Sequence, residues 1–173
     1  LGDVYKRQCM DDAAVDAKLA EIPKVDYDRI GERMYAELVY VNCDAEATAD
    51  KYTALVQKAA ALGRTMILGC SDPEIAKAAL EVCKDNKPVL NGANASNYEA
   101  MNAVATAAGV VLGVSGKDLN ELYDTTAALE KLGNKNLVLD VTGADVKETF
   151  GNAVQVRRAA LKDQDRTFGY PSI

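Results

Sequence analysis

Asn91, Gly92, Asn94, Ser96 and Asn97 fall within one stretch, Asn91-Gly92-Ala93-Asn94-Ala95-Ser96-Asn97-Tyr98, between an apolar run and a helical pattern. Each carboxamide carries donors and an acceptor, so a cluster of them can hydrogen-bond the polar edge of a flat cofactor. Asx turns and a helix cap account for the same residues. Asp140 ends the apolar run Asn136-Leu137-Val138-Leu139-Asp140, with Thr142 and Gly143 just beyond it. An acid there can orient a ligand or cap the next helix. Asn91, Asn94, Asn97, Asp140 and Thr142 are therefore the candidate cofactor-binding residues, and no residue is assigned a catalytic or metal-binding role. The other positions after apolar runs are Asn42, Asp44, Cys70, Ser71, Asp72, Ser115 and Gly116. They offer carboxylates and amides but no Lys, Arg or His, which suits hydrogen bonding and docking better than proton transfer.

Several chemistries are excluded by residue type. The chain has no histidine, which removes Ser-His and Cys-His nucleophile pairs and any imidazole ligand to cobalt, haem or zinc. Cys9, Cys43, Cys70 and Cys83 are 34, 27 and 13 residues apart, without the close spacing of a zinc or iron-sulfur site. They read as free thiols of a reducing cytoplasm. The net charge of -6 disfavours nucleic acid, whose phosphates need a basic surface. No apolar run approaches the roughly 20 residues that span a bilayer. Arg157-Arg158 reads as a solvated helix face.

The elements that must position these residues alternate. Strand candidates are 38–42, 65–69, 88–90, 110–114, 136–141 and 168–173, mostly apolar on both faces as a helix-covered parallel sheet requires. Between them run helical stripes: Tyr52, Leu55, Ala59 and Leu62; Ile75, Ala79 and Val82; Met101, Val104, Ala105 and Ala108; Leu119, Leu122, Thr126 and Leu129; Val146, Phe150, Ala153 and Val154. Each stripe is expected to pack on the sheet. Asp44, Ser71 and Ser96 stand where N-caps belong, Pro73 in a first turn, and Gly63, Gly109 and Gly133 just past helices.

Residues 1–8, LGDVYKRQ, are the translation of the end of a common transposase sequencing adapter, so they are expected to be non-native. Setting them aside leaves 18 basic and 25 acidic residues, a net charge of -7. Residues 9–36 are expected to be a helical lead-in and 37–173 a partial βα barrel domain. No glycine-rich phosphate cradle follows any strand candidate, and about six strands are visible against eight in a closed barrel. The expected fold class is α/β: an incomplete parallel (β/α)8 TIM-type barrel, truncated at both ends.

Ordered motifs carry a resemblance: Asp28-Arg29-Ile30-Gly31, Lys87-Pro88-Val89-Leu90 with the Asn-rich loop and Asn97-Tyr98-Glu99-Ala100-Met101, Leu137-Val138-Leu139-Asp140, Gln155-Val156-Arg157-Arg158-Ala159-Ala160 and Phe168-Gly169-Tyr170-Pro171. From about residue 17 to 173 the chain resembles the barrel domain of the large (gamma) subunit of the corrinoid iron-sulfur protein of the CO dehydrogenase/acetyl-CoA synthase (acetyl-CoA decarbonylase/synthase) complex. The delta subunit shares that barrel and is the nearest confusion. Asp140-Val141 departs from the family, which usually has Pro after the Asp; that bears on the loop's shape.

The resemblance implies a cytoplasmic methyl carrier of the reductive acetyl-CoA (Wood-Ljungdahl) pathway. A methyltetrahydrofolate or methyltetrahydropterin methyltransferase loads it, and acetyl-CoA synthase receives the methyl group. The implied cofactors of the parent are a cobalt corrinoid and a four-iron cluster, both in other domains and neither in this segment. The implied partners are the small subunit, the methyltransferase and acetyl-CoA synthase. A pterin-binding barrel methyltransferase and a ligand-free assembly module remain as alternatives.

Overall fold

The computed structural model describes residues 12–44 and 48–173. The adapter-like residues 1–8, Cys9 and the start of the lead-in lie outside them. The chain divides into two compact units, 1–90 and 91–173.

In the first unit, helix α1 (Asp12–Glu21) ends in a 3-10 turn at Ile22–Lys24, where Pro23 fits the opening position. A hairpin follows, β1 (Asp26–Arg29) paired antiparallel with β2 (Glu32–Tyr35). This corrects the helical reading of that part of the 9–36 lead-in. The two residues between the strands, Ile30 and Gly31, both have positive φ, 53° and 80°, the requirement of a tight hairpin turn. Cross-strand pairing then stabilises strands that bury almost nothing: Arg33 Nε donates to Asp26 Oδ1 at 2.7 Å, and the Arg33 and Arg64 guanidiniums lie over the Tyr35 ring at 5.2 and 5.1 Å.

Strand β3 (Leu38–Asn42), helix α2 (Ala49–Ala60), strand β4 (Thr65–Gly69) and helix α3 (Pro73–Cys83) complete that unit, with the start of strand β5 (Val89–Ala93). β3 and β4 are parallel, each residue facing the one 27 positions later, from Leu38↔Thr65 to Asn42↔Gly69. Val39, Val41, Met66 and Leu68 are fully buried, each stabilising by about 1.5–3 kcal/mol. Tyr52, Leu55, Val56 and Ala59 form the buried face of α2. In α3 that face is Ala76, Ala79, Leu80 and Cys83, while Val82, expected inside, is exposed. The helix has two apolar stripes side by side, and the smaller side chains allow closer approach.

The caps shift by one to four residues from expectation. Thr48, not Asp44, caps α2, because Asp44 instead accepts from Asn42 Nδ2 at 2.8 Å. Asp72, not Ser71, caps α3, accepting from the Glu74 and Ile75 amides at 2.9 and 3.2 Å; with Pro73 first in the helix the carboxylate is the nearer acceptor. Asn97 takes the cap position expected of Ser96.

The second unit contains the rest of β5, helix α4 (Tyr98–Ala108), strand β6 (Val111–Val114), helix α5 (Leu119–Lys131), strand β7 (Leu137–Leu139) and helix α6 (Val146–Lys162). β6 and β7 are parallel, Leu112↔Leu137 to Val114↔Leu139. Along the sheet the parallel strands follow chain order, β3-β4-β5-β6-β7, as consecutive β/α units do. Gly63, Gly109 and Gly133 adopt positive φ just past their helices, as read from the sequence.

Two expectations fail in this unit. Residues 168–173 pair as a strand only at their end: a 3-10 turn occupies Thr167–Gly169, and beyond it the Leu139 and Val141 amides donate to the Pro171 and Ile173 carbonyls at 2.8 and 3.2 Å and the Ile173 amide to the Leu139 carbonyl at 2.9 Å, a parallel bridge through Ser172. Asp165 Oδ1 accepts from the Thr167 and Phe168 amides at 2.9 and 3.3 Å, and Glu130 accepts from the Thr167 and Tyr170 hydroxyls at 3.1 and 3.0 Å. These bonds hold the start of the segment in a turn. On α6 the stripe expected to pack is outside, with Val146 86% and Phe150 71% exposed, while Val156 is buried. Polar anchors set that rotation: Gly143 N donates to Thr149 Oγ1 at 2.9 Å, and Asn152 Nδ2 to the Val141 carbonyl at 3.2 Å. Thr149 and Asn152 lie on the Val156 side of a 3.6-residue helix, so satisfying the loop turns the apolar stripe away.

Candidate functional site

The strand-end positions of the second unit bring two of the five predicted residues together. Asn91, in β5 and 2% exposed, donates from Nδ2 to Asp140 Oδ2 at 2.7 Å across 49 residues of sequence. Asp140 Oδ1 also accepts from the Thr142 amide at 3.0 Å, so Thr142 enters through its backbone while its side chain faces solvent. A part-buried carboxylate-carboxamide bond of this kind is charge-assisted and short. Gly113 in β6 makes room for it: a Cβ there would overlap the Asn91 carboxamide and approach its Cα. Residue-type reasoning passed over Gly113; the available signal was a glycine inside the apolar run Val110-Val111-Leu112-Gly113-Val114.

Asn94 and Asn97 are engaged within their own loop. Asn94 Oδ1 accepts from the Ser96 amide and hydroxyl at 2.9 and 2.6 Å, Asn97 Oδ1 accepts from the Asn94 amide at 2.7 Å, and Asn97 Nδ2 donates to the Gly92 carbonyl at 3.0 Å. These bonds hold the β5–α4 loop beside Asn91.

A cleft of about 170 Å³ opens at the ends of β6 and β7, lined among others by Gly116, Lys117, Asp118, Asp140, Thr142 and Glu148. Acidic caps shape its rim: Asp118 accepts from the Glu121 amide at 2.9 Å, and Asp145 accepts from the Glu148 amide at 2.7 Å while Glu148 accepts from Ala144 N at 2.7 Å. Lys117 supplies a cation that the sequence survey of this face did not include. Its Nζ lies 3.1 Å from Glu121 Oε2, and that carboxylate raises its pKa. Lys117 directly follows Gly116, one residue beyond the strand-end positions read from the sequence.

At the strand ends of the first unit the chemistry is sulfur. Cys43 N donates to the Gly69 carbonyl at 2.7 Å, carrying the β3–β4 register one residue past the strands; the Cys43 thiol is directed at the Asp44 carbonyl at 4.0 Å, and the Cys70 thiol donates to the Asp72 carbonyl at 3.4 Å. Interaction between the neighbouring thiols raises the Cys43 pKa and lowers that of Cys70, with burial opposing the second shift. Asp44 Oδ2 is buried beside them, with no hydrogen-bond partner among the described residues.

Neither cofactor implied by the sequence resemblance fits these residues. No group of three or more Cys, Asp or Glu that could hold a metal ion occurs among the described residues; Cys83 is separate, donating to the Ala79 carbonyl at 3.1 Å. Two thiols fall short of the four that an iron-sulfur cluster takes. The 170 Å³ cleft is smaller than the pockets of about 300–1,000 Å³ that hold drug-sized ligands, and a corrin macrocycle is larger still. No helix among the described residues is long and apolar enough to cross a membrane.

Residues 4–173 match the family CdhD, CO dehydrogenase/acetyl-CoA synthase delta subunit. The chain belongs to this family. Among its relatives, the corrinoid/iron-sulfur protein large subunit of Moorella thermoacetica is 35% identical over 91% of this chain and 35% of its own length. The acetyl-CoA decarbonylase/synthase complex subunit gamma of Archaeoglobus fulgidus is 30% identical over 94% of this chain and 35% of its own length, and that of Methanosarcina acetivorans is 32% identical with the same coverage. The chain thus spans about a third of the length of these relatives. The resemblance to the large or gamma subunit is supported by these names, within a family described by its delta subunit. Among solved structures, dihydropteroate synthase of Thermus thermophilus aligns with a TM-score of 0.65 at 17% identity, covering 93% of this chain and 65% of that one. Dihydropteroate synthase is a TIM barrel, and the CdhD-family chain has that fold with five parallel strands, an incomplete barrel.

Proposed function

We propose that this CdhD-family chain is the barrel part of a corrinoid iron-sulfur methyl carrier of the acetyl-CoA pathway, and that it docks and positions without itself catalysing methyl transfer. The carrier takes a methyl group from a methyltetrahydrofolate or methyltetrahydropterin methyltransferase and delivers it to acetyl-CoA synthase. In this reading residues 37–173 are the barrel, 9–36 its lead-in and 1–8 foreign to it; the protein works in the cytoplasm, paired with the small subunit. The corrinoid and the four-iron cluster belong to other parts of the parent.

The observation that carries the reading is the 30–35% identity to corrinoid iron-sulfur large and gamma subunits along nearly the whole chain. The strand-end face supports it: amides and carboxylates bonded to one another at Asn91, Asn94, Asn97, Asp140 and Thr142, in a chain without histidine. Replacing Asn91, Asn94 and Asn97 together by Ala in the full-length parent, reconstituted with its small subunit, should slow methyl-cobalt formation in stopped flow. Lost polar contacts cost roughly 1 kcal/mol each. An unchanged rate in a folded variant would leave the loop a purely structural element, and corrinoid turnover by the 173-residue chain alone would sink the positioning role.

A second reading, a pterin-binding barrel, is favoured by the buried Asn91–Asp140 bond beside a polar cleft. Micromolar binding of methyltetrahydrofolate, lost in Asp140→Ala, would support it over the first.

A further inference from the structure

The register of β3 and β4 places Cys43 beside Cys70. Every residue of β3 faces the one 27 positions later, which is also the separation of the two cysteines, so they occupy the same position in consecutive β/α units. The Cys43 amide continues the ladder by donating to Gly69 at 2.7 Å. Neighbouring strands run about 4.7–4.9 Å apart, within the Cα separation of about 4.4–6.8 Å that a disulfide spans. Both thiols are free, Cys43 directed at the Asp44 carbonyl at 4.0 Å and Cys70 donating to the Asp72 carbonyl at 3.4 Å. Cys70 is 2% exposed, Cys43 only half-buried; one sulfur of the pair can therefore be reached from solvent while the other waits behind it.

We propose that Cys43 and Cys70 form a dithiol site that exchanges with low-molecular-weight disulfides and closes reversibly to an intramolecular disulfide. A small disulfide meets Cys43, its S–S bond breaks, and one thiol leaves with the Cys43 proton as a mixed disulfide forms. The Cys70 sulfur then displaces the second thiol from Cys43. The protein pair loses two electrons and two protons, the reagent gains both as two thiols, and the new bond is Cys43–Cys70. Cys70 gives up its proton to the departing thiol as it attacks, the thiolate being the reacting form. Tyr52, beneath the pair with its hydroxyl bonded to the Val41 carbonyl at 2.9 Å, and Gly69, where a side chain would meet Tyr40, keep the β3 and β4 backbones in register. The site is independent of the methyl-carrier reading, since neither thiol belongs to the amide face.

The test equilibrates the full 173-residue chain, natively folded, against glutathione and its disulfide across a range of ratios, quenches with acid and maps cross-links by non-reducing peptide mass spectrometry. The expected result is a Cys43–Cys70 cross-link that rises with the disulfide fraction, reverts on adding dithiothreitol, persists in Cys83→Ser and vanishes in Cys43→Ser. As an independent readout, phenylarsine oxide, which bridges two adjacent thiols with loss of water, should bind the wild type and Cys83→Ser at one equivalent and lose at least tenfold in affinity in Cys43→Ser and Cys70→Ser. Should Cys70→Ser fail to fold, Cys43→Ser carries the comparison alone. Separate glutathione adducts without a cross-link, a cross-link through Cys9 or Cys83 instead, or arsenical binding that survives Cys43→Ser would each overturn the proposal.

Discussion

The two units treat the ends of their strands differently. In the first, β3 and β4 finish in the thiols Cys43 and Cys70, aligned by the strand register, with the half-buried Asp44 beside them. In the second, β5 and β7 finish in a carboxamide bonded to a carboxylate, Asn91 to Asp140. A thiol pair is weakly hydrogen-bonded, loses little on burial and stays open to oxidation. A buried Asn–Asp bond must be kept whole, because each partner alone costs its full desolvation. One edge is thus chemically labile and structurally tolerant, the other chemically inert and structurally strict. The glycines repeat the contrast. A Cβ at Gly69 would meet the outer end of the Tyr40 ring, whereas a Cβ at Gly113 would meet Asn91 close to its backbone.

The largest effect should come from testing those glycines. Gly113→Ala is expected to destabilise by about 3 kcal/mol, since Asn91 has no other place to go, and Gly69→Ala by less than about 1 kcal/mol, since the Tyr40 ring can swing outward. Denaturant midpoints read at constant slope decide it. Equal costs would erase the distinction between a strict and a tolerant edge.

A smaller effect is expected at the polar bond. Asp140→Ala should cost about 2 kcal/mol, because the Asn91 amide stays buried without its acceptor, and Asn91→Ala added to it should cost little more. Tyr52→Phe, which strips one hydroxyl from the sulfur edge, is expected to cost about 1 kcal/mol. Additive costs for Asn91 and Asp140 in the double-mutant cycle would mean that the bond is not a unit.

The smallest effect concerns Cys83, the thiol outside the pair. Burial pushes its pKa up to about 11 from 9.0. The unfolded chain ionises first as pH rises, so this stabilising preference is fully present below pH 9 and is lost as pH climbs toward 11. The difference in unfolding free energy between wild type and Cys83→Ala should therefore shrink across that window. By accessibility, iodoacetamide should reach the half-buried Cys43 before Cys83, which is 1% exposed, in the native protein; the reverse order would place the accessible sulfur on the wrong side of the comparison.

Where one periodicity dominates, the elements were legible in the sequence. The runs Leu38–Asn42 and Thr65–Gly69 are strands with the boundaries that their apolar character indicates, because the core takes up Val39, Val41, Met66 and Leu68 completely. The hairpin at Asp26–Tyr35 was not legible, since its stability lies in the turn geometry of Ile30-Gly31 and in charge pairs across strands. Nor was the rotation of α6, where Thr149 and Asn152 bind the preceding loop and overrule the apolar stripe. For the site, the sequence pointed to Asn91 and Asp140 by residue type, while their bond across 49 residues depends on which strands end beside one another.

The sequence by itself determined the parallel β/α class, most of the strand positions, the absence of imidazole chemistry and the family, because these follow from residue type and short-range order. Tertiary structure alone decided which side chains meet. The 27-residue interval between Cys43 and Cys70 looked like no ligand spacing in one dimension. It became a contact because the β3–β4 register has the same offset, and register is fixed by burying one face of each strand against the whole core, not by any residue near the cysteines.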